Sequence, residues 1–249
     1  MRYSPKILCC LLILFLFSTG NFSASAQAFK IDTIVYKGDP ARFVNLVFLG
    51  DGFQTAELRT YLENVRDLNN YVFSISPFAE YKNFFNVFAI SVPSPESANH
   101  PGTATDESTS NNQPVLSVNI AFNSTFDYAA IHRLLVPQNF AAINDVLNNN
   151  LPFYDQVFML VNSTYYGGSG SPNLATSSLN ISSFDVLVHE IGHAFGNLAD
   201  EYYAGDLFAG EAANMTQESN PALVKWKDWI GVDGIGVYQH CSGGNSAHR

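Results

Sequence analysis

His189 and His193 stand four residues apart in the stretch SSFDVLVHEIGHAFGNLADEYY, residues 182–203, and no other feature restricts the fold as tightly. On an α-helix that spacing puts both imidazoles on one face, one turn apart, where two ring nitrogens reach a single metal ion. The apolar residues ahead of them, Phe184, Val186, Leu187 and Val188, predict that the helix is buried. Ser182 with Asp185 reads as a capping box opening it. Glu190 follows the first histidine and leaves the flank of the same face, where it can act as a base without being forced onto the metal.

The chemistry behind the pattern is the acidity of water. Zinc with an open coordination position lowers the pKa of water from about 15.7 to about 7, and a neighbouring carboxylate can then take and return its proton. Catalytic sites of this kind use three protein ligands, so two histidines require a third donor. Gly196, three residues after His193, predicts a left-handed turn that ends the helix and sends the chain back under the metal. Asp200 and Glu201 follow within reach. Asp200 is the preferred third ligand, with Glu201 supporting a histidine or the loop; the reverse assignment stays open, because neither spacing nor charge separates adjacent carboxylates.

HEIGHAFGNLADEYY resembles the HExxHxxGxxxDEY signature of the IgA-peptidase-like zinc metallopeptidases, a family related to the metzincins. The stretches Asn45–Leu58, Ser76–Ser97 and Val224–Gly231 are also similar to its members, so the resemblance covers most of the chain. It implies an endopeptidase with one catalytic Zn2+ held by His189, His193 and Asp200 (or Glu201), with Glu190 as general base and acid and a protein or peptide as substrate. It further implies a metzincin-like domain with the metal helix below a mixed sheet. By the same resemblance, residues 162–170 are where an edge strand would pair with substrate. Two departures stand out: the third-ligand carboxylate falls one residue later than in ordinary metzincins, and no Met-containing turn is obvious. Met215 is read as packing. The rival functions left open are a zinc amidase acting on glycan or cell-wall peptides and an inactive binding module on a peptidase scaffold.

Residues 1–26 do not read as fold. Arg2 and Lys6 precede the apolar run Ile7–Phe17, and Ala24-Ser25-Ala26 follows, which is the order of a secretory signal peptide cleaved before Gln27. A membrane span needs about 20 apolar residues, so the mature chain is expected in the extracellular or periplasmic space with no stable membrane insertion. Residues 27–249 are enough for one substantial catalytic domain. Of three cysteines only Cys241 lies beyond the leader, so no internal disulfide is expected, and the tail from Cys241 to Arg249 reads as a loop cut in mid-course, with the domain truncated at its C-terminus. The formal net charge of −10 repels phosphate backbones and excludes nucleic acid as a partner.

The remaining elements alternate in the manner of an α/β domain, with α+β as the variant. Phe43–Leu49 and Phe84–Val92 read as buried strands, as does Asp155–Val161, and Val115–Phe122 as a further strand. Ala56–Tyr71, with Thr55 as N-cap, and the segment from Phe140 to three asparagines read as amphipathic helices. Asp51, at the end of the first strand, is assigned to turn chemistry. Ser94–Gln113 is a long polar loop suited to covering a cleft or binding a structural Ca2+; its His100, Asp106 and Glu107 are assigned to solvent. His132 is structural, Tyr202 and Tyr203 are assigned to packing, and Trp226 and Trp229 form an aromatic flank.

Overall fold

The computed structural model describes residues 28–99, 118–131, 133–200 and 211–239. The leader, the loop residues His100, Asp106 and Glu107, and His132, Glu201, Tyr202, Tyr203 and Cys241 lie outside them. Six strands, β1 (Lys30–Val35), β2 (Val44–Asp51), β3 (Phe85–Ser91), β4 (Gln156–Val161), β5 (Gly168–Ser171) and β6 (Leu174–Ser178), form one sheet in the order β1-β3-β2-β4-β6-β5. The inner four are parallel, and β1 and β5 are added antiparallel at the two edges. Four α-helices are described: α1 (Leu58–Val72), α2 (Phe78–Tyr81), α3 (Phe140–Asn150) and α4 (Ser183–Ala194). The chain is therefore α/β, as the alternation of elements predicts.

Strands β2, β3 and β4 are largely apolar along their length because both of their faces are covered. Along β2, Leu46 and Phe48 face α1 and α4, joining Tyr61, Val65, Leu187 and Ile191. Val47 and Leu49 face the other way, into a core with Ile143 and Leu147 of α3 and the loop residues Phe122 and Phe126. On α4, Leu187 and Ile191 are almost fully buried and four residues apart. Each such side chain contributes about 1.5–3 kcal/mol by leaving water. That burial fixes the roll of the helix, so the residues on its other side, His189 among them, face a cleft.

Several expected details resolve differently. The helix after β2 begins later than Ala56: residues Thr55–Glu57 form a 3-10 turn, and the Glu57 carboxylate accepts from the Gln54 amide at 2.8 Å, so Thr55 is not the cap. Ser182 makes no side-chain cap at the start of α4 either. Asp185 accepts instead from the Tyr71 hydroxyl on α1, which ties the two helices together. Residues 118–122 are not a strand. The buried Asp51 carboxylate at the end of β2 takes the amides of Phe122 (3.0 Å) and Ser124 (2.9 Å), along with that of Gly52 (3.0 Å). The donors that a ladder would use are thus spoken for. Burial pushes the Asp51 carboxyl up from its ordinary value, and these amides pull it back down. Strands β1 and β6 went unanticipated, because KIDTIV is short and mixed and LATSS has few strong strand formers. Among the described residues no helix is long and apolar enough to cross a membrane.

Candidate active site

His189 and His193 leave α4 one turn apart, and their Nε2 atoms stand 3.1 Å from each other. The Nδ1 atom of His193 lies 2.7 Å from the Leu198 carbonyl. A carbonyl only accepts, so Nδ1 carries the proton and Nε2 presents a lone pair, the tautomer a metal requires. Burial, with the nearby His193 ring adding to it, lowers the His189 pKa from its ordinary value, against the pull of Asp200. Its neutral form is favoured.

Beyond α4 the chain reverses and returns a carboxylate to these nitrogens. The left-handed residue of the turn is Asn197 (φ 52°), not Gly196. Gly196 serves close approach: a Cβ there would stand 2.8 Å from the Gly192 carbonyl oxygen. The Leu198 amide bonds back to that same carbonyl at 3.0 Å. Asp200 Oδ1 then lies 3.1 Å from His189 Nε2 and 3.2 Å from His193 Nε2. This oxygen is buried and has no hydrogen-bond partner.

Two nitrogen lone pairs and an otherwise orphaned carboxylate oxygen at the corners of a triangle, with edges of 3.1, 3.1 and 3.2 Å, suit a cation. Tetrahedral zinc with bonds of about 2.0–2.1 Å keeps its ligand atoms roughly 3.3 Å apart, so the donor set fits that ion in both type and spacing. Glu190 also brings an oxygen within 4.8 Å of the two histidine nitrogens, and the His189, Glu190 and His193 group could hold a metal ion. Asp200 closes the tighter triangle.

Sequence reasoning missed the residue that holds Asp200 in place. The Asn214 side chain accepts from the Ala199 amide at 2.8 Å and donates to the Ala199 carbonyl at 2.9 Å, a two-point clamp on the peptide just before Asp200. Its own loop is secured by Lys225, which donates to the carbonyls of Ala212 (2.5 Å) and Met215 (2.8 Å) and pairs with Glu211 at 2.7 Å. That pairing holds the Glu211 carboxyl down at about 2. Met215 is fully buried, as its assignment to packing anticipated. Replacing Asn214 with Ala is expected to weaken metal affinity about 10- to 100-fold, the usual effect of losing a group that orients a ligand. A zinc-chelator competition titration reads this directly, and an unchanged affinity would show that the clamp does not position Asp200.

Glu190 sits under the sheet edge. Burial pushes its carboxyl up to about 7, with Asp200 adding to the rise and His193 and Arg133 opposing it. Gly170 of β5 lies directly over it, where a Cβ would be 2.9 Å from Glu190 Oε2 and 3.0 Å from His193 Cβ. The glycine is what lets the strand pass this close. Together α4, β5 and the segment around Arg133 wall a cleft of about 930 Å³ that contains His189, Glu190, His193 and Asp200. A sequence model of the IgA peptidase M64 family matches residues 33–235, a span that takes in strands β2 to β6, the cleft and all four of these residues. The chain belongs to the IgA peptidase M64 family. Membership of this peptidase family makes it a protease, and the expected family resemblance holds over most of the chain. No curated protein matches the chain.

Proposed function

We propose that this member of the M64 family is a secreted zinc-dependent endopeptidase, with residues 1–26 as its leader and 27–249 as its catalytic domain. The observation that carries the reading is the convergence of His189, His193 and Asp200 on one point beside Glu190, beneath an exposed sheet edge. His189 Nε2, His193 Nε2 and Asp200 Oδ1 would hold the ion, with Glu201 as the alternative acid. Zinc, when bound, supplies Lewis acidity that polarises the scissile carbonyl and lowers the pKa of water from about 15.7 to about 7.

The remaining steps fall to the protein. Glu190 takes a proton from the attacking water and hands it to the nitrogen of the departing amine, one carboxylate serving as base and then as acid. A carboxyl near 7 suits both duties at neutral pH. Substrate is held along β5. Its first outward-facing residue, Gly168, is bridged by Arg133 and Leu135, whereas Gly170 presents the next outward amide and carbonyl above Glu190. An extended peptide would add there as a strand, gaining affinity from its backbone and selectivity from side pockets.

The test is a digest of an unfractionated peptide mixture with cut sites mapped by mass spectrometry. The purified protein is expected to cut internal peptide bonds, to stop after chelation and to resume when zinc is returned. Cleavage untouched by exhaustive chelation would remove zinc from the account.

A further inference from the structure

The wall of the cleft carries one guanidinium that amide hydrolysis does not require. Arg133 is exposed and lines the cleft next to Ile131, Leu134 and Tyr166. Its backbone is not loose: the Arg133 carbonyl accepts from the Gly168 amide at 3.1 Å, and the Leu135 amide donates to the Gly168 carbonyl at 3.2 Å, so the residue is docked onto the end of β5. Among the described residues its side chain has neither an ion pair nor a hydrogen bond. Asp185 lines the same cleft, but its carboxylate accepts from Tyr71 of α1. Arg133 therefore presents five donors in a planar fork, unclaimed, within a chain whose formal net charge is −10.

Its distance from the chemistry is set by the strand it is docked on: Gly168, which bonds its carbonyl, lies two residues before Gly170, the residue over Glu190. A strand advances about 3.3 Å per residue, so that separation along β5 is roughly 7 Å, and an extended peptide lying beside it advances at the same pace. A group on the substrate facing Arg133 thus lies within about two to three residues of the bond to be cut. A planar fork of donors matches a carboxylate two bonds at a time.

Resting on the peptidase reading above, we propose that Arg133 is a specificity residue that receives a substrate carboxylate near the scissile bond. Two sources share that chemistry: the side chain of an Asp or Glu within the peptide, and the free C-terminus of a short peptide. Both place the same planar anion against the guanidinium.

Matched peptides separate these sources. One set carries Glu or Gln at each of three positions on either side of the scissile bond, and a second ends in either a free acid or an amide. For the wild-type protein the acid member of a pair is expected to show a kcat/KM about tenfold above its neutral counterpart, and the gap should narrow as salt is raised. In Arg133→Ala that ratio falls to near one, and in Arg133→Lys it recovers in part; thermal melting confirms that both variants are folded. A ratio that rises with internal Glu assigns the side-chain source, and one that rises with the free acid assigns the terminal source. Binding of the same peptides to Glu190→Gln by fluorescence anisotropy gives a reading independent of turnover. Carboxylate preference in binding with no cleavage by the wild type would keep the Arg133 assignment and overturn the peptidase mechanism. Absence of preference in both readings, or a preference that persists in Arg133→Ala, overturns the Arg133 assignment.

Discussion

Glu190→Gln is expected to lower kcat by about 10²- to 10⁴-fold, the range that a positioned general acid-base group supplies, while the protein still binds one zinc. Gln matches Glu in shape and keeps the packing beneath Gly170, where the edge strand comes within reach of Glu190 Oε2. What it loses is the ability to take a proton. Burial holds that carboxyl at about 7, so at neutral pH it can both accept from water and donate to a leaving amine, and an amide can do neither. Zinc should remain because Asp200, not Glu190, closes the tight triangle with the two histidine nitrogens. Steady-state kinetics together with metal analysis of the same sample check both halves. Undiminished turnover would remove Glu190 from the chemistry, and loss of zinc would make it a ligand.

The second large effect concerns stability and lies away from the cleft. Asp51→Ala is expected to destabilise the fold by roughly 3–5 kcal/mol, because it leaves the buried amides of Phe122 and Ser124 without an acceptor, while that of Gly52 keeps only the Ser94 hydroxyl, and each orphan costs about 1–3 kcal/mol before relaxation. For a domain of this size that corresponds to a fall in melting temperature of about 10 °C. Asp51→Asn offers a check on the cause. It keeps one oxygen, but its NH₂ would face one of the same amides, so it should also be destabilising even though it removes a buried charge. A melting temperature within a degree or two of wild type for both variants would show that the carboxylate does not organise this part of the chain.

These two carboxylates mark where the sequence was informative and where it was not. HExxH fixes its own geometry, because a helix has one period and residues four apart must share a face. The roll of α4 follows the same period, but of the apolar residues Phe184, Val186, Leu187 and Val188 only Leu187 is buried, with Ile191 one turn on. The turn after α4 was legible only in outcome. The chain does reverse and bring Asp200 back, but Asn197 takes the left-handed conformation and Gly196 is needed for contact with Gly192. Both are small residues that tolerate such positions, and composition cannot apportion the two duties. Asp51 was visible as a turn residue, but the amides it gathers are some seventy residues away in sequence, and nothing local announces them. Asn214 is the most instructive omission. Its neighbour Met215 only packs, whereas the asparagine touches the turn carrying Asp200. Long-range polar clamps have no periodicity, so only the fold reveals them.

The most direct test of the central claim is diffraction from crystals of the zinc-loaded protein, recorded on either side of the zinc absorption edge. A single anomalous peak is expected, enclosed by His189 Nε2, His193 Nε2 and a carboxylate oxygen of Asp200, with Glu190 beside it but not among the ligands. A peak at another place, or none from protein shown to contain zinc in solution, would contradict it.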